Sequence, residues 1–511
     1  MEAVGRRSLL KAGFGVAGSA FLSGCERSGE PGEVNASPSV TGYVQPDGPQ
    51  VQKVDQDRRR NGKFYKFPMV ATAGPVDLGG GVLVNAWSYE GRVPGREMRL
   101  QPGDTVQANV SNRLSAPTTV HWHGLDIRNN MDGVPYVTQA PIEKGGSFLY
   151  EYVATTPGTY YYHPHQGLEF DHGLYGPLII EDPDEPQSYD EDWIVVIDDW
   201  IDGVNGLTPE SVYAQLKRGM ATKGEPPALV KAAMLPPTAK SKLLGGDPGD
   251  VNYPYYLING RVSSAPPVFS SKPGRRARIR LINAGADTAF LVALGGHRMT
   301  VTHTDGSPIV PVEADRILLG MGERYDVLVT LKDGVFPLVA IAEGKNASAF
   351  SVVRTSTGEA PKPTVRPTEL NGKLVGGGNL SDLESAPAVR LGERKTDQTV
   401  QLSLTGQMDP YAWGLDGKNY DPRVPLASLT EGQRVRISYT NRTRMWHPMH
   451  FHGHSFFIGG LSGPRKDTVI VLPGQTVNCY FDTNNPGRWV THCHNAYHER
   501  AGMIGVLAYR V

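Results

Sequence analysis

His492-Cys493-His494 opens a string that runs through His498 to Met503. A thiolate, imidazoles and a thioether at that spacing are a ligand set for copper, because two His and one Cys with a weak axial Met hold a blue electron-transfer copper. Cys493, His498 and Met503 supply three of those four ligands. His492 and His494 are then free for a different metal. In an extended strand residues i and i+2 point to one side, so the two imidazoles go one way and the thiol the other. One backbone segment therefore joins two metal sites, and Cys493 is the shortest covalent route between them.

The other histidines complete both sites. Of 14 His, ten lie in four short strings: His121 and His123; His163 and His165; His447, His450 and His452; His492, His494 and His498. A lone buried His is usually structural, but four strings of this kind are a metal-binding pattern. His450 and His452 match the pair His121 and His123, which leaves His447 over as the missing blue-copper ligand. The remaining His172, His297, His303 and His454 are assigned to structure or to orienting ligands, His454 in particular. Cys479, in the alternating stretch 476–481, reads as a buried core residue.

The elements that position these strings are visible as an internal repeat. Gly103 to Asn112, Gly274 to Asn283 and Gly432 to Asn441 each span nine positions and alternate in polarity, with starts 171 and 158 residues apart. Alternation after a Gly turn is a half-buried strand. Nine residues beyond the Asn come His121-Trp122-His123-Gly124 and His450-Phe451-His452-Gly453, whereas the middle copy has Val292-Ala293-Leu294-Gly295. Likewise Gly158 and Gly487 lead in five residues to His163-Pro164-His165 and His492-Cys493-His494, and Gly334 leads to Val339-Ala340-Ile341. Domains 1 and 3 are thus expected to face each other across a cluster held by eight His, with domain 2 as a spacer without copper. Expected bounds are 61–186, 187–360 and 399–511, with a linker over 361–398 and an irregular, partly helical insertion over 203–250.

Composition agrees with an all-β chain: Gly 60 and Pro 40 in 511 residues favour turns, and amphipathic helical repeats are scarce. The charge is balanced, 51 Lys+Arg against 52 Asp+Glu, so no nucleic-acid partner is indicated. Arg6-Arg7-Ser8-Leu9-Leu10-Lys11 resembles a twin-arginine export signal, and Leu22-Ser23-Gly24-Cys25 resembles a lipobox whose Cys is acylated. Residues 1–25 are read as that leader and 26–60 as a flexible tether. The apolar run from Ala12 to Leu22 is too short to span a bilayer, so membrane attachment is expected through a lipidated Cys25 alone, on a monomer in the periplasm or cell envelope.

H-W-H-G, H-P-H, H-P-M-H-F-H-G-H and H-C-H-x₃-H-x₄-M resemble the four copper-binding motifs of the multicopper oxidases, the family of laccases, ferroxidases and cuprous oxidases. The resemblance covers residues 60–511. It extends, within the family, to the exported mycobacterial type through 121–133 (H-W-H-G-L-D-I-R-N-N-M-D-G), 253–261 (Y-P-Y-Y-L-I-N-G-R) and 465–473 (R-K-D-T-V-I-V-L-P). It implies three consecutive cupredoxin-like Greek-key domains and four copper ions. Type 1 copper would take His447, Cys493, His498 and axial Met503; type 2 would take His121 and His450. The two type 3 ions would take His123, His163 and His494, and His165, His452 and His492. It further implies that Asp132 and Glu499 supply protons while O₂ is reduced to water.

The reductant is less legible. Cu(I), Fe(II) and phenols or aromatic amines are the expected donors, with a role in copper tolerance. The 12 Met form no cluster of the cuprous-oxidase kind. Met445 and Met449 bracket His447, but packing is the simpler role for them, and Thr443-Arg444 stand where some cuprous oxidases carry an acid. A broad laccase is the main competing reading. A copper nitrite reductase would not need eight cluster His, and a copper-sequestering or electron-transfer lipoprotein would not need sites linked through Cys493. The intact ligand set argues against a structural protein that has lost copper.

Overall fold

A computed structural model describes residues 39–56, 58, 61–219 and 228–511. The expected leader, lipobox and acylated Cys25 lie outside the described residues. Among those described, no helix is long and apolar enough to cross a membrane.

The Gly-to-Asn repeat becomes the strands Thr105–Asn112, Arg276–Asn283 and Arg434–Asn441. Gly103, Gly274 and Gly432 have φ of 91°, 79° and 80°, a left-handed turn that favours glycine. Each strand pairs in parallel with an earlier strand (Met69–Gly79, Glu191–Trp200, Gln398–Met408) and antiparallel with a later one (Ser147–Val153, Arg324–Thr330, Thr476–Asp482). Each ends on an Asn with one job. Asn112 Nδ2 donates to the carbonyls of Ala116 and Ile142 while its Oδ1 accepts from Leu114 N. Asn283 does the same with Thr288, Leu319 and Gly285, and Asn441 with Met445, Val471 and Thr443. A buried amide that satisfies three backbone groups fixes the corner where the chain leaves one sheet for the other.

Each domain is two sheets. In the first, a five-stranded sheet lies with a four-stranded one that carries His121–His123 beside Gly158–His163; the second has seven and six strands; the third has six and five, with His447–Phe451 beside Arg488–Cys493. The fold is therefore mostly sheet, as the composition and alternation require. Phe290–Leu294 and Val335–Ala342, which occupy the place of the His strands in the second domain, are apolar and pair with each other.

Two segments differ from expectation. Residues 39–56 are not a loose tether: Val44 and Val51 are buried, Tyr43 bridges to Arg510, and Pro49–Gln56 is helical. A few apolar anchors in a polar stretch suffice to dock it, which average composition conceals. Within the expected linker 361–398, Leu374–Gly376 pairs in parallel with Arg316–Leu319 and so extends a sheet of the second domain through the buried Val375. The 203–250 insertion is partly helical as expected, with Pro209–Arg218, started by a reciprocal cap between Thr208 and Ser211, and the short Ala228–Ala232.

Candidate metal centre

Pairing across the two His-bearing strand pairs sets His121 opposite His163 and His450 opposite His492. The four rings from each flanking domain meet in one buried pocket. Potential ligand atoms lie within 4.8 Å of one another in the groups His121/His123/His450, His123/His163/His494 and His165/His452/His492. Seven of the eight rings spend one nitrogen on a hydrogen bond to an outer partner. His121 Nδ1 is 2.9 Å from Asp132 O, and His450 Nδ1 is 2.8 Å from Asp467 O. His163 Nδ1 is 2.8 Å from Pro164 O, and His492 Nδ1 is 3.0 Å from Cys493 O. His452 Nδ1 meets Asp132 Oδ2 at 3.0 Å, His123 Nε2 meets Asp467 Oδ1 at 3.1 Å, and His494 Nε2 lies 3.0 Å from the Tyr161 hydroxyl.

Carbonyls and carboxylates accept, so the outward nitrogens facing them carry the hydrogens and the inward ones present lone pairs. These lone pairs face each other: His452 Nε2 and His492 Nε2 are 3.1 Å apart, and the pairs His165/His492 and His123/His163 are 3.4 Å apart. The inward nitrogens His121 Nε2, His450 Nε2 and His494 Nδ1 are buried with no hydrogen-bond partner among the described residues. Burial keeps six of the rings neutral: it pushes His123, His163, His452 and His494 well below the ordinary His range, His165 down to about 3 and His450 to about 4. A closed pocket of mutually repelling lone pairs fits bound cations.

On the other side of Cys493 is a second such pocket. His447 Nδ1 and His498 Nδ1 are 3.1 Å apart, with Cys493 Sγ 3.5 and 3.7 Å from them. Their far nitrogens are taken by Thr443 Oγ1 at 2.8 Å and Asp250 Oδ2 at 3.1 Å. Trp413 covers His498, ring centroids 4.1 Å apart. Burial pushes the Cys493 thiol well up, so a thiolate here requires a cation beside it. Met503 is fully buried, and its carbonyl accepts from Cys493 N at 2.9 Å. Cys479 is buried in the core with a free thiol. His454 Nδ1 donates to His452 O at 3.0 Å, and its Nε2 meets the Tyr509 hydroxyl at 2.7 Å.

The two acids singled out in the sequence both contact the eight-His pocket. Asp132 lies 3.1 Å from His121 Nδ1 as well as against His452, and burial raises its pKa. Glu499 Oε2 lies 3.0 Å from His492 Nδ1, and Oε1 is 3.5 Å from His165 Nδ1. Burial opposes its ionisation, but the two rings outweigh this and hold it at about 2. Glu499 also lines an open cavity of about 420 Å³ with Tyr136, Gln166 and Tyr420.

Other residues of the site left no local signal. Asp467 accepts from Arg324 at 2.7 and 2.6 Å while facing His123 and His450. Burial would raise its pKa, yet Arg324 and His123 hold it well below the carboxylate range. Arg324 and Asp250 both come from the second domain, which thereby helps to order the side chains of both His pockets. Asp467 lies in the 465–473 stretch noted for its resemblance, but nothing in its spacing marks it.

Two buried His pockets joined through one Cys, on three cupredoxin-like domains, define a multicopper oxidase. The chain belongs to that family: residues 71–185, 191–358 and 393–511 each match a multicopper oxidase domain. It is 45% identical over 464 residues to Multicopper oxidase MmcO of Mycobacterium tuberculosis, covering 90% of both chains. It is 28% identical to a Copper resistance protein A homolog of Pseudomonas syringae pv. tomato, over 82% of this chain and 88% of that one. Among solved structures it resembles the laccase from Botrytis aclada, with a TM-score of 0.70, 25% identity and coverage of 94% and 93%.

Proposed function

We propose that the chain oxidises small one-electron donors at the Cys493 pocket and reduces O₂ to water in the eight-His pocket. Bound copper supplies the reversible one-electron exchange. In this reading His447, Cys493, His498 and Met503 hold type 1 copper, His121 and His450 hold type 2, and the triads His123/His163/His494 and His165/His452/His492 hold the type 3 pair. The observation that carries it is the position of Cys493: its thiol faces His447 and His498 while its two chain neighbours face the other pocket. Asp132 and Glu499 move protons, Asp132 at the Nδ1 atoms of His121 and His452, Glu499 between His492 and the open cavity.

The donor side favours small reductants such as Cu(I) and Fe(II), consistent with a role in copper tolerance. His447 and His498 are wholly buried. Among the described residues, a cavity of about 350 Å³ beside this region is walled by Asp247, Asp250 and Asp409 with Met234 and Met408, and Asp250 hydrogen-bonds His498. Leu216, Leu235, Pro236 and Pro237 on the same wall favour the second reading, a laccase acting on phenols. Steady-state kcat/KM for Cu(I), Fe(II) and a phenol on copper-loaded protein, with oxygen uptake as readout, decides. The cation reading predicts the metal ions ahead and a selective loss for them in Asp409→Asn; a phenol preferred over both ions overturns it. Export as a monomer acylated on Cys25 completes the proposal, and labelled-palmitate incorporation that survives Cys25→Ala would refute the anchor.

A further inference from the structure

The second domain reaches the Cys493 pocket through a carboxylate that touches none of its ligands. Asp287 follows the corner at Asn283 and is fully buried. Its Oδ2 accepts from Lys345 Nζ at 2.6 Å and Val251 N at 2.9 Å, its Oδ1 accepts from Asn495 Nδ2 at 2.6 Å, and Asp250 N lies 3.1 and 3.0 Å from the two oxygens. Beside it Ala286 O accepts from Ala496 N at 2.9 Å. Gly249 makes the approach possible, since a Cβ there would stand 2.6 Å from Asp287 Oδ2.

Both ends of these bonds lead to His498. Asn495 Oδ1 accepts from Tyr497 N and His498 N at 3.0 and 3.2 Å and so caps Ala496–Arg500, the short helix that carries His498. With Oδ1 committed to the helix, Asn495 Nδ2 needs an outside acceptor, and Asp287 is it. Asp250, whose backbone Asp287 holds, places its own carboxylate on His498 Nε2.

We infer that Asp287 is a positioning residue for the mononuclear site: through Asn495 it sets the main chain of His498, and through Asp250 it sets the ring, so a domain without ligands decides how His498 meets His447 and Cys493. The inference rests on the copper reading above. An amide at this position must turn its NH₂ toward Asn495 Nδ2 or toward Lys345 and Val251 N, donor against donor, without changing the side chain's volume.

Asp287→Asn and Asn495→Ala test it, with Ser385→Ala as the control for simple destabilisation; Ser385 ties 385 to Gly463 and Arg465 well away from this pocket in sequence and contacts no ligand. In copper-loaded protein both test variants should keep the copper of the eight-His pocket, shift the thiolate-to-copper absorption and the potential of the mononuclear site, and lose about 10-fold or more in copper affinity there. In metal-free protein amide exchange over 496–498 should quicken by a similar factor. Ser385→Ala should lower Tm and leave absorption, potential and that exchange unchanged. If Asp287→Asn fails to fold, Asn495→Ala, which keeps the Lys345 ion pair, carries the test with the same readouts. Wild-type absorption, potential, affinity and exchange in a test variant would overturn the inference. A wild-type protein that shows no thiolate-to-copper band would instead overturn the copper reading, and exchange over 496–498 would still decide the positioning role.

Discussion

The first and third domains hold the same piece of backbone put to different use. In both, a short strand carrying H-x-H lies antiparallel to a second one, with His121 opposite His163 and His450 opposite His492. The difference lies behind the strands. Trp122 turns away from the cluster into an aromatic core, its ring 5.5, 5.0 and 6.0 Å from those of Tyr150, Tyr152 and Tyr162. Cys493 turns away from the cluster toward His447 and His498. Either arrangement can offer four imidazoles to the shared pocket, but only the third domain has a thiol and two more imidazoles on the far side. The second domain has the apolar strands Phe290–Leu294 and Val335–Ala342 in that place, with neither His nor Cys on them.

The comparison breaks most completely at Cys493. Cys493→Ser should remove the blue absorption and drop substrate oxidation to background while much of the type 3 copper stays bound, making the third domain resemble the first; continued turnover of phenols would show that electrons take another route. Arg324→Met leaves the buried Asp467 carboxylate without its cation and should cost about 3–5 kcal/mol of stability, read by urea unfolding of metal-free protein. A loss under 1 kcal/mol would mean that water or the histidines carry that charge. Asp132→Asn should slow reoxidation by O₂ about 10–100-fold in stopped-flow work and leave reduction of the blue copper intact; normal turnover would remove Asp132 from the proton route.

The smallest effects sharpen the comparison further. Asn112→Ala, Asn283→Ala and Asn441→Ala each orphan buried backbone groups and should cost about 1–3 kcal/mol, similar in the three domains if the corner is only architectural. Asn441→Ala should also move the thiolate-to-copper band. Thr443, which holds His447 Nε2, donates two hydrogen bonds to Asn441 Oδ1, from its N and its Oγ1. A band unchanged in that variant would show that Thr443 keeps its place without the corner.

Much of this is legible in the sequence. The Gly-to-Asn repeat named the three strands because period-two alternation is local, and H-x-H named the inward side chains for the same reason. Residues 39–56 and Leu374–Gly376 look like tether and linker in the sequence because their docking depends on a few side chains and on a partner strand elsewhere. Asp250, Asp287, Arg324 and Asp467 were invisible as parts of the site because each lies in another domain or far along the chain from the ligand it serves; Asp467 is 344 positions from His123.

The sequence by itself determined which residues could bind metal and that Cys493 stands between two sets of them, since both follow from residue type and strand geometry over a dozen residues. Tertiary structure alone decided which nitrogen of each ring faces inward, which acids touch the rings and how deeply each pocket is closed. Those properties depend on hydrogen-bond partners and burial contributed from distant segments, and contacts of that kind leave no periodic trace in the chain.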